Sequence, residues 1–158
     1  MIEERKLLTL AIPLEVGKVL LGMKKRGFGD GKWNGFGGKV HQDETIEEAA
    51  ARETFEECEI EILKMEKVGI HEFSFTDKPG EILEVHVFRV DEFRGEPQET
   101  EEMAPAWFST SDIPYESMWS DDEYWFPLFL AGKKFRGEFL FTSDGEIVTA
   151  ALKEVESV

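Results

Sequence analysis

Arg52, Glu53, Glu56 and Glu57, in the stretch "RETFEE", are the residues of this chain best placed to do chemistry. At about 100° per residue, the three glutamates of a helix here fall within one arc about 100° wide, and Ile46, Ala49 and Ala50 share it. Carboxylates three and four residues apart repel, the more so when partly buried. Sharing their face with small and apolar side chains implies a helix pressed closely against the rest of the fold. A divalent cation removes the repulsion. Mg²⁺ suits such a set: it is a hard ion that takes carboxylate oxygens, keeps waters and shares substrate phosphates. Glutamate is common along the whole chain, so the spacing by itself also fits a solvated acidic surface.

The elements around these residues follow from periodicity and turn chemistry. "KLLTLAIPLEVGKVLLGMKK" reads as two short apolar strands around a Val16-Gly17 turn, with Pro13 near a strand end because proline cannot donate to a ladder. "RGFGDGKWNGFGGKV" is too glycine-rich for regular structure throughout and reads as a loop, then a short strand around Trp33–Phe36. Thr45 to Cys58 is the clearest helix, opened by a capping box of Thr45 and Glu48. Strands return in "EILKMEKVGIHEFSF" and "EILEVHVFRV", joined by the turn "TDKPG", and again in "APAWFS". Ser120 and Glu123 make a second capping-box pattern ahead of a short helix "DDEYWFPLFLA", which Pro127 interrupts or kinks. "KKFRGEFLF" and "EIVTAALKEV" close the chain as a hairpin around "SDG". The fold class is α+β: a mixed sheet with two helices packed on its faces, in one domain spanning residues 1–158.

Composition narrows the function. With 158 residues, 41% of them apolar and 12% aromatic, the chain can bury a core. A net charge of −16 argues against binding a nucleic acid polymer by phosphate neutralisation, yet suits a protein that meets phosphates through divalent cations. The one cysteine, Cys58, excludes an internal disulfide framework. The acidic start "MIEERKLLTLAI" is unlike a secretory or mitochondrial leader, and no apolar run approaches the roughly 20 residues of a membrane span. The expected setting is cytoplasmic, with nucleus or mitochondrion also open; nothing calls for more than a monomer or for a membrane partner.

Gly38, Glu44, Arg52, Glu53, Glu56 and Glu57 together spell G-x5-E-x7-R-E-x2-E-E. Chance agreement at all six positions is on the order of one in a thousand or less. This arrangement is the Nudix box, here spanning residues 38–60, and the chain resembles the Nudix hydrolases. "GMKKRGFGDGKWNGFGGKV", "EVHVF", "MWSDDEYWFPL" and "KKFRGEF" resemble the animal MutT homologues within that family, hydrolases of oxidised purine nucleoside triphosphates. The resemblance runs from about Leu7 to Val155, with its matches in the same order.

The resemblance implies a Nudix fold, a mixed sheet between helices, and a site built residue by residue. Glu56 and Glu57 would be the main ligands of Mg²⁺ (Mn²⁺ a possible substitute), Glu53 a ligand directly or through water, and the Gly37 carbonyl a further one. The glycines would let metal and phosphate approach closely. Arg52 would hold the helix and its carboxylates in place, where the alternative is an exposed ion pair. Glu44 fits a structural role where the helix begins. Glu102, in "TEEMAPAW", matches an acidic position near the metals and would be a ligand or a base, with Glu101 solvated. Asn34, Asp121 and Asp122 would face the base, although Asp at the start of a helix also has a bland explanation in capping and dipole. The pocket walls would be Thr9, Leu10, Phe28, Phe73, Phe75, Met103 and Trp119, with Trp119 stacking on the purine. Phe73 and Phe75 are otherwise ordinary core residues two apart on a strand. Lys24 would lie near the pocket or the phosphates, or be solvated. The expected substrates are 8-oxo-dGTP and 2-oxo-dATP, cleaved to nucleoside monophosphate and pyrophosphate.

Two positions depart from the box. It usually ends E-E-x-G-apolar, but "EECEI" puts Glu59 where glycine serves a left-handed turn, at an expected cost of about 1 kcal/mol. Thr54 stands where the box prefers an apolar residue. Cys58 reads as a packed thiol. Two other readings stay open: a Nudix hydrolase of another purine nucleotide or diphosphate, and a Nudix-fold binding module that has lost catalysis.

Overall fold

The computed structural model describes residues 3–158. Met1 and Ile2, on which the leader reading partly rests, lie outside the described residues. Strand β1 (Glu4–Glu15) turns through Val16-Gly17 into β2 (Lys18–Lys24), and Gly17 takes a φ of 76° that its missing Cβ permits. The short β3 (Trp33–Asn34) follows the glycine-rich loop. Helix α1 (Ile46–Cys58) leads into the long strands β4 (Glu61–Phe75) and β5 (Glu81–Arg94). After β6 (Met103–Ser109) and a single 3₁₀ turn, Tyr115–Ser117, come helix α2 (Asp122–Leu130) and the hairpin β7 (Lys134–Phe141) and β8 (Ile147–Val155).

The sheet is mixed. Its order is β3-β2-β1-β5-β4-β7-β8, with β6 paired to β2. β1 runs parallel to β5 from Glu4 opposite Glu81 to Pro13 opposite Val90, and β7 runs parallel to β4. β2 meets β1 only next to their turn, at Leu14–Val19 and Glu15–Lys18, then splays away to pair along its length with β6. The gap between β1 and β2 is where the glycine-rich segment crosses. Asn34 pairs with Gly22 of β2, and two residues later Phe36 bridges to Ala11 of β1. The expected strand around Trp33–Phe36 is therefore shorter than its sequence suggests, because the segment changes partner halfway.

Alternation decides which helix covers which face. Ala11 and Ile12 point to opposite sides of β1. Ala11 packs with Phe88, Val90 and Ala50 of α1. Ile12 belongs to the larger core with Val87, Phe135, Phe139 and the α2 residues Trp125, Phe126 and Phe129. The two helices thus sandwich the sheet, as the sequence implied. None of the described helices is long and apolar enough to cross a membrane.

Helix α1 begins with the expected capping box. Thr45 Oγ1 accepts from the Glu48 N–H at 3.0 Å, and Glu48 Oε1 accepts from the Thr45 N–H at 2.8 Å. It ends at Glu59 with φ 62° and ψ 25°, the one non-glycine among the described residues with positive φ. Glu59→Gly is expected to raise the urea midpoint, corresponding to about 0.5–1 kcal/mol after the added freedom of the unfolded chain is subtracted. An unchanged or lower midpoint would contradict the assignment of strain there. Thr54 is fully buried and its hydroxyl has no partner, so an apolar residue would suit that position better.

The second capping box does not form. Ser120 Oγ donates instead to the Gly145 carbonyl at 2.9 Å, tying α2 to the β7–β8 turn. Asp121 occupies the cap position in right-handed helical geometry and makes no capping bond. Its carboxylate is taken by Trp125. Pro127 lies inside α2 without ending it, and the helix runs on to Leu130.

Candidate active site

The splayed β1–β2 gap, the β4–β5 face and the start of α2 enclose a cavity of about 200 Å³. All eleven residues expected around the substrate line it: Thr9, Leu10, Lys24, Phe28, Asn34, Phe73, Phe75, Met103, Trp119, Asp121 and Asp122. Gly37 and Glu57 line it too, so the acidic helix reaches the same space. Phe73 and Phe75 share the inner face of β4. Phe28 is 64% exposed; its ring centre sits 5.1 Å from that of Trp119 and 6.0 Å from that of Phe75. The aromatic wall therefore has one fixed side and one side carried by an exposed loop.

The polar groups are sparse and directional. Asn34 Oδ1 accepts from the Gly35 N–H at 2.9 Å, which leaves the amide nitrogen to face a ligand. Asp121 and Asp122 are both buried. Asp121 Oδ2 accepts from Trp125 Nε1 at 2.7 Å, whereas Asp122 Oδ2 has no partner. Burial pushes both carboxyls up. The neighbouring Asp121 charge adds to burial at Asp122 and holds it well above the usual range. Burial and the neighbouring charge thus favour the neutral form of the Asp122 carboxyl, the form that can donate a hydrogen bond.

Arg52 organises the acidic helix. Its side chain is only 24% exposed. Nε and Nη2 donate to Glu44 at 3.0 and 2.7 Å, Nη2 also to the Lys39 carbonyl at 3.1 Å, and Nη1 to Glu53 at 2.8 Å. Glu56 lies further off, at 3.3 Å from Nη1, with 55% of its side chain exposed. This is a clamp joining the loop after Gly38 to the helix, unlike a solvated ion pair. Together with the His41 N–H, which donates at 2.8 Å, Arg52 pulls the Glu44 carboxyl down to about 2 from an ordinary 4.5. A depressed carboxyl stabilises the fold above its unfolded pKa and loses that contribution as pH falls through the folded value. Glu44→Gln is expected to lower the thermal midpoint at pH 7 and to flatten its fall between about pH 4.5 and 2. A variant whose midpoint falls in parallel with the wild type across that window would contradict this.

Glu57 is the half-buried member of the set. Its Oε1 accepts from the Gly37 N–H at 2.9 Å. Burial pushes its carboxyl up to about 8, with the Glu53 and Glu102 charges adding to the rise and the Gly37 N–H and Lys24 opposing it. Glu102 pairs with Arg26 at 2.8 Å and is held below the usual range by it. Glu101 is 88% exposed, in keeping with solvation. Among the described residues, no three His, Cys, Asp or Glu side chains converge tightly enough to hold a metal as they stand, since Arg52 draws Glu53 and Glu56 to itself. The donor chemistry nonetheless fits a hard divalent cation. The oxygens are carboxylates, one of them is buried with too little positive charge beside it, and Glu53 and Glu102 lie within its field.

Gly37, just ahead of the box, and Gly38, its first residue, are there for space. A Cβ on Gly37 would fall 1.8 Å from the Thr9 carbonyl oxygen, and one on Gly38 2.7 Å from the Glu53 carboxylate. Sequence reading missed other lining residues, among them Lys32, Leu8, Val85 and Phe141. Leu8 and Val85 had an available signal: Leu8 is two residues from Leu10, and Val85 is its register partner on β5. Lys32 had none, because its place follows from the pairing of Met23 with Trp33, which sets Lys24 beside Lys32 at the neck of the loop, where the Lys24 N–H reaches the Lys32 carbonyl at 3.2 Å. Lys32 Nζ lies 5.3 Å from the centre of the Trp119 ring.

Comparison with known proteins accords with this geometry. The NUDIX domain model matches residues 6–129. The chain is 51% identical over 153 residues to the oxidized purine nucleoside triphosphate hydrolase of Danio rerio, covering 97% of each chain. It is 49% identical over 152 residues to the protein of that name from Mus musculus, covering 96% of this chain and 97% of the relative. Among solved structures, the mutator MutT protein from Bacillus halodurans superposes with a TM-score of 0.83 at 27% identity, over 94% of this chain and 97% of its own.

Proposed function

The chain belongs to the Nudix hydrolase family, and on that footing we propose that it hydrolyses oxidised purine nucleoside triphosphates, 8-oxo-dGTP and 2-oxo-dATP among them, to nucleoside monophosphate and pyrophosphate. The observation that carries this is the single cavity in which Asn34, Asp121, Asp122 and Trp119 meet Gly37 and Glu57. A purine-reading end and a phosphate-handling end lie in one enclosure.

Nudix hydrolases generally need a divalent metal, usually Mg²⁺. Glu53, Glu56, Glu57 and Glu102, with the Gly37 carbonyl, would hold Mg²⁺, or Mn²⁺ in its place. The bound ion would neutralise charge on the phosphate chain and make a water more acidic. The protein's own residues do the rest. Trp119 offers a flat face for the purine, with Phe28 closing from the exposed side. Lys24 and Lys32 set positive charge on the cavity wall to orient the phosphates. Arg52 keeps Glu53 and the loop after Gly38 in a fixed relation, from which a cation would draw Glu53 and Glu56 towards Glu57.

The Asp pair reads the base. A neutral carboxyl donates where an ionised one accepts, so moving one proton lets the same atoms match either an 8-oxoguanine or a 2-oxoadenine edge. Asp122→Asn fixes the donor form at that position. It is expected to lower kcat/KM for one of these substrates about tenfold more than for the other, because one complex is left with an unmatched buried group. An unchanged ratio between the two would contradict proton-linked reading.

The reaction type is tested by separating the products of an oxidised purine triphosphate with Mg²⁺ present and with excess chelator. Nucleoside monophosphate and pyrophosphate in equal amounts, formed only with metal, are expected. Nucleoside diphosphate and phosphate, or no products with metal, would overturn it.

A further inference from the structure

The last turn of α1 leaves carbonyls with no partner inside the helix. Two of them, on Glu57 and Cys58, are met by one segment, residues 95–102, which follows β5. The Gln98 N–H donates to the Cys58 carbonyl at 2.9 Å. Thr100 Oγ1 donates to the Glu57 carbonyl, also at 2.9 Å. The same hydroxyl oxygen accepts from the N–H groups of Glu102 at 3.2 Å and Met103 at 3.3 Å. A hydroxyl has one proton to give and two lone pairs, and Thr100 uses all three.

The backbone of Thr100 extends the knot. Its N–H donates to the Met103 carbonyl at 2.9 Å, and its carbonyl accepts from Lys25 Nζ at 2.9 Å. The Lys25 N–H donates to the Glu102 carbonyl at 2.9 Å, and the Lys25 ammonium also reaches Glu99. One half-buried side chain therefore stands where three parts of the site meet. These are the end of the acidic helix at Glu57, the strand start that bears Glu102 and the cavity-wall residue Met103, and the loop that goes on to Phe28.

We infer that Thr100 is a positioning residue of the hydrolytic site: its hydroxyl pins the backbones of Glu57 and Glu102 to one point, so that their carboxylates face the same cation. This rests on the metal-dependent hydrolase reading of the site. Thr100 touches neither substrate nor metal. It acts by removing the freedom with which the helix end and the β6 start would otherwise drift apart, and the cost of losing it falls on metal binding and turnover.

Thr100→Val keeps the shape and removes the hydroxyl, leaving the Glu57 carbonyl and two N–H groups unmatched. Mn²⁺ binding to the nucleotide-free chain, followed by loss of the free-ion electron spin resonance signal, is expected to weaken about fivefold. With Mg²⁺, kcat is expected to fall about fivefold while nucleotide KM stays within about twofold. Thr100→Ser, which retains the hydroxyl, restores both. If Thr100→Val does not fold, Thr100→Ala is measured in its place, again against Thr100→Ser. A variant that only melts earlier, with wild-type Mn²⁺ affinity and kcat, would overturn the inference. So would a loss that Thr100→Ser shares in full. A wild type that binds Mn²⁺ but releases no pyrophosphate would refute the proposed reaction and leave Thr100 to be judged by Mn²⁺ affinity. A wild type that binds no Mn²⁺ would overturn both.

Discussion

Glu57→Gln is expected to lower turnover of an oxidised purine triphosphate at least about a hundredfold while leaving the metal-free fold as stable as before, or more so. Glutamine has nearly the shape of glutamate, and its amide oxygen can still accept the Gly37 N–H that Glu57 now receives at 2.9 Å. What disappears is a half-buried carboxyl, close to Glu53 and Glu102, that burial pushes up to about 8. Without a cation it opposes folding at neutral pH, because the group must either be desolvated as an anion next to its own kind or take up a proton that the unfolded chain does not hold. With a cation it is the strongest candidate to bind it. Stability and activity should therefore move in opposite directions, and thermal melting beside steady-state kinetics on one preparation checks both. Parallel loss of melting temperature and activity would mean that Glu57 holds the helix in place and does no chemistry.

Gly37→Ala should damage the fold itself, by about 2 kcal/mol or more. Its Cβ would overlap the Thr9 carbonyl oxygen at 1.8 Å and crowd the Leu10 Cα at 3.0 Å. Both are backbone atoms of a strand paired on its far side to β5, so neither can yield cheaply. The segment after β3 would have to lift away from β1, breaking the Phe36–Ala11 bridge next to it. Gly38→Ala makes the useful comparison. The three atoms nearest its Cβ would all belong to the end of the Glu53 side chain, from 2.7 Å, and that end can swing aside. Urea unfolding should find Gly38→Ala near wild-type stability and Gly37→Ala far below it, while both lose activity. Equal stability of the two would contradict the close approach of the loop to β1.

Much of this molecule is legible in its sequence, for identifiable reasons. Helix α1 could be read from both ends, because Thr45 and Glu48 satisfy the first turn with their own side chains and Glu59 marks the left-handed exit. Strands β4 and β5 could be read from alternation and the turn between them. The second capping box could not be judged this way. Ser120 has the right type and spacing, but a tertiary partner, the Gly145 carbonyl, takes its hydroxyl. Likewise Trp125 takes the Asp121 carboxylate, which only the folded packing reveals. The lining of the cavity was legible through family likeness more than through pattern. Phe73 and Phe75 look like ordinary core in any single sequence. Lys32 escaped notice because its place depends on how β2 pairs with β3 across the loop. The clamp of Arg52 on Glu44, Lys39, Glu53 and Glu56 depends on how the loop folds back over the helix, which spacing does not disclose.

The central claim is that the cavity selects an oxidised purine and delivers its phosphates to the acidic helix. The most direct measurement is kcat/KM for pyrophosphate release from 8-oxo-dGTP, 2-oxo-dATP, dGTP and dATP with Mg²⁺, beside Glu57→Gln. Oxidised purines are expected to exceed their unmodified counterparts by at least about tenfold, with all four activities lost in Glu57→Gln. Equal turnover of oxidised and unmodified purines, or activity that survives Glu57→Gln, would contradict it.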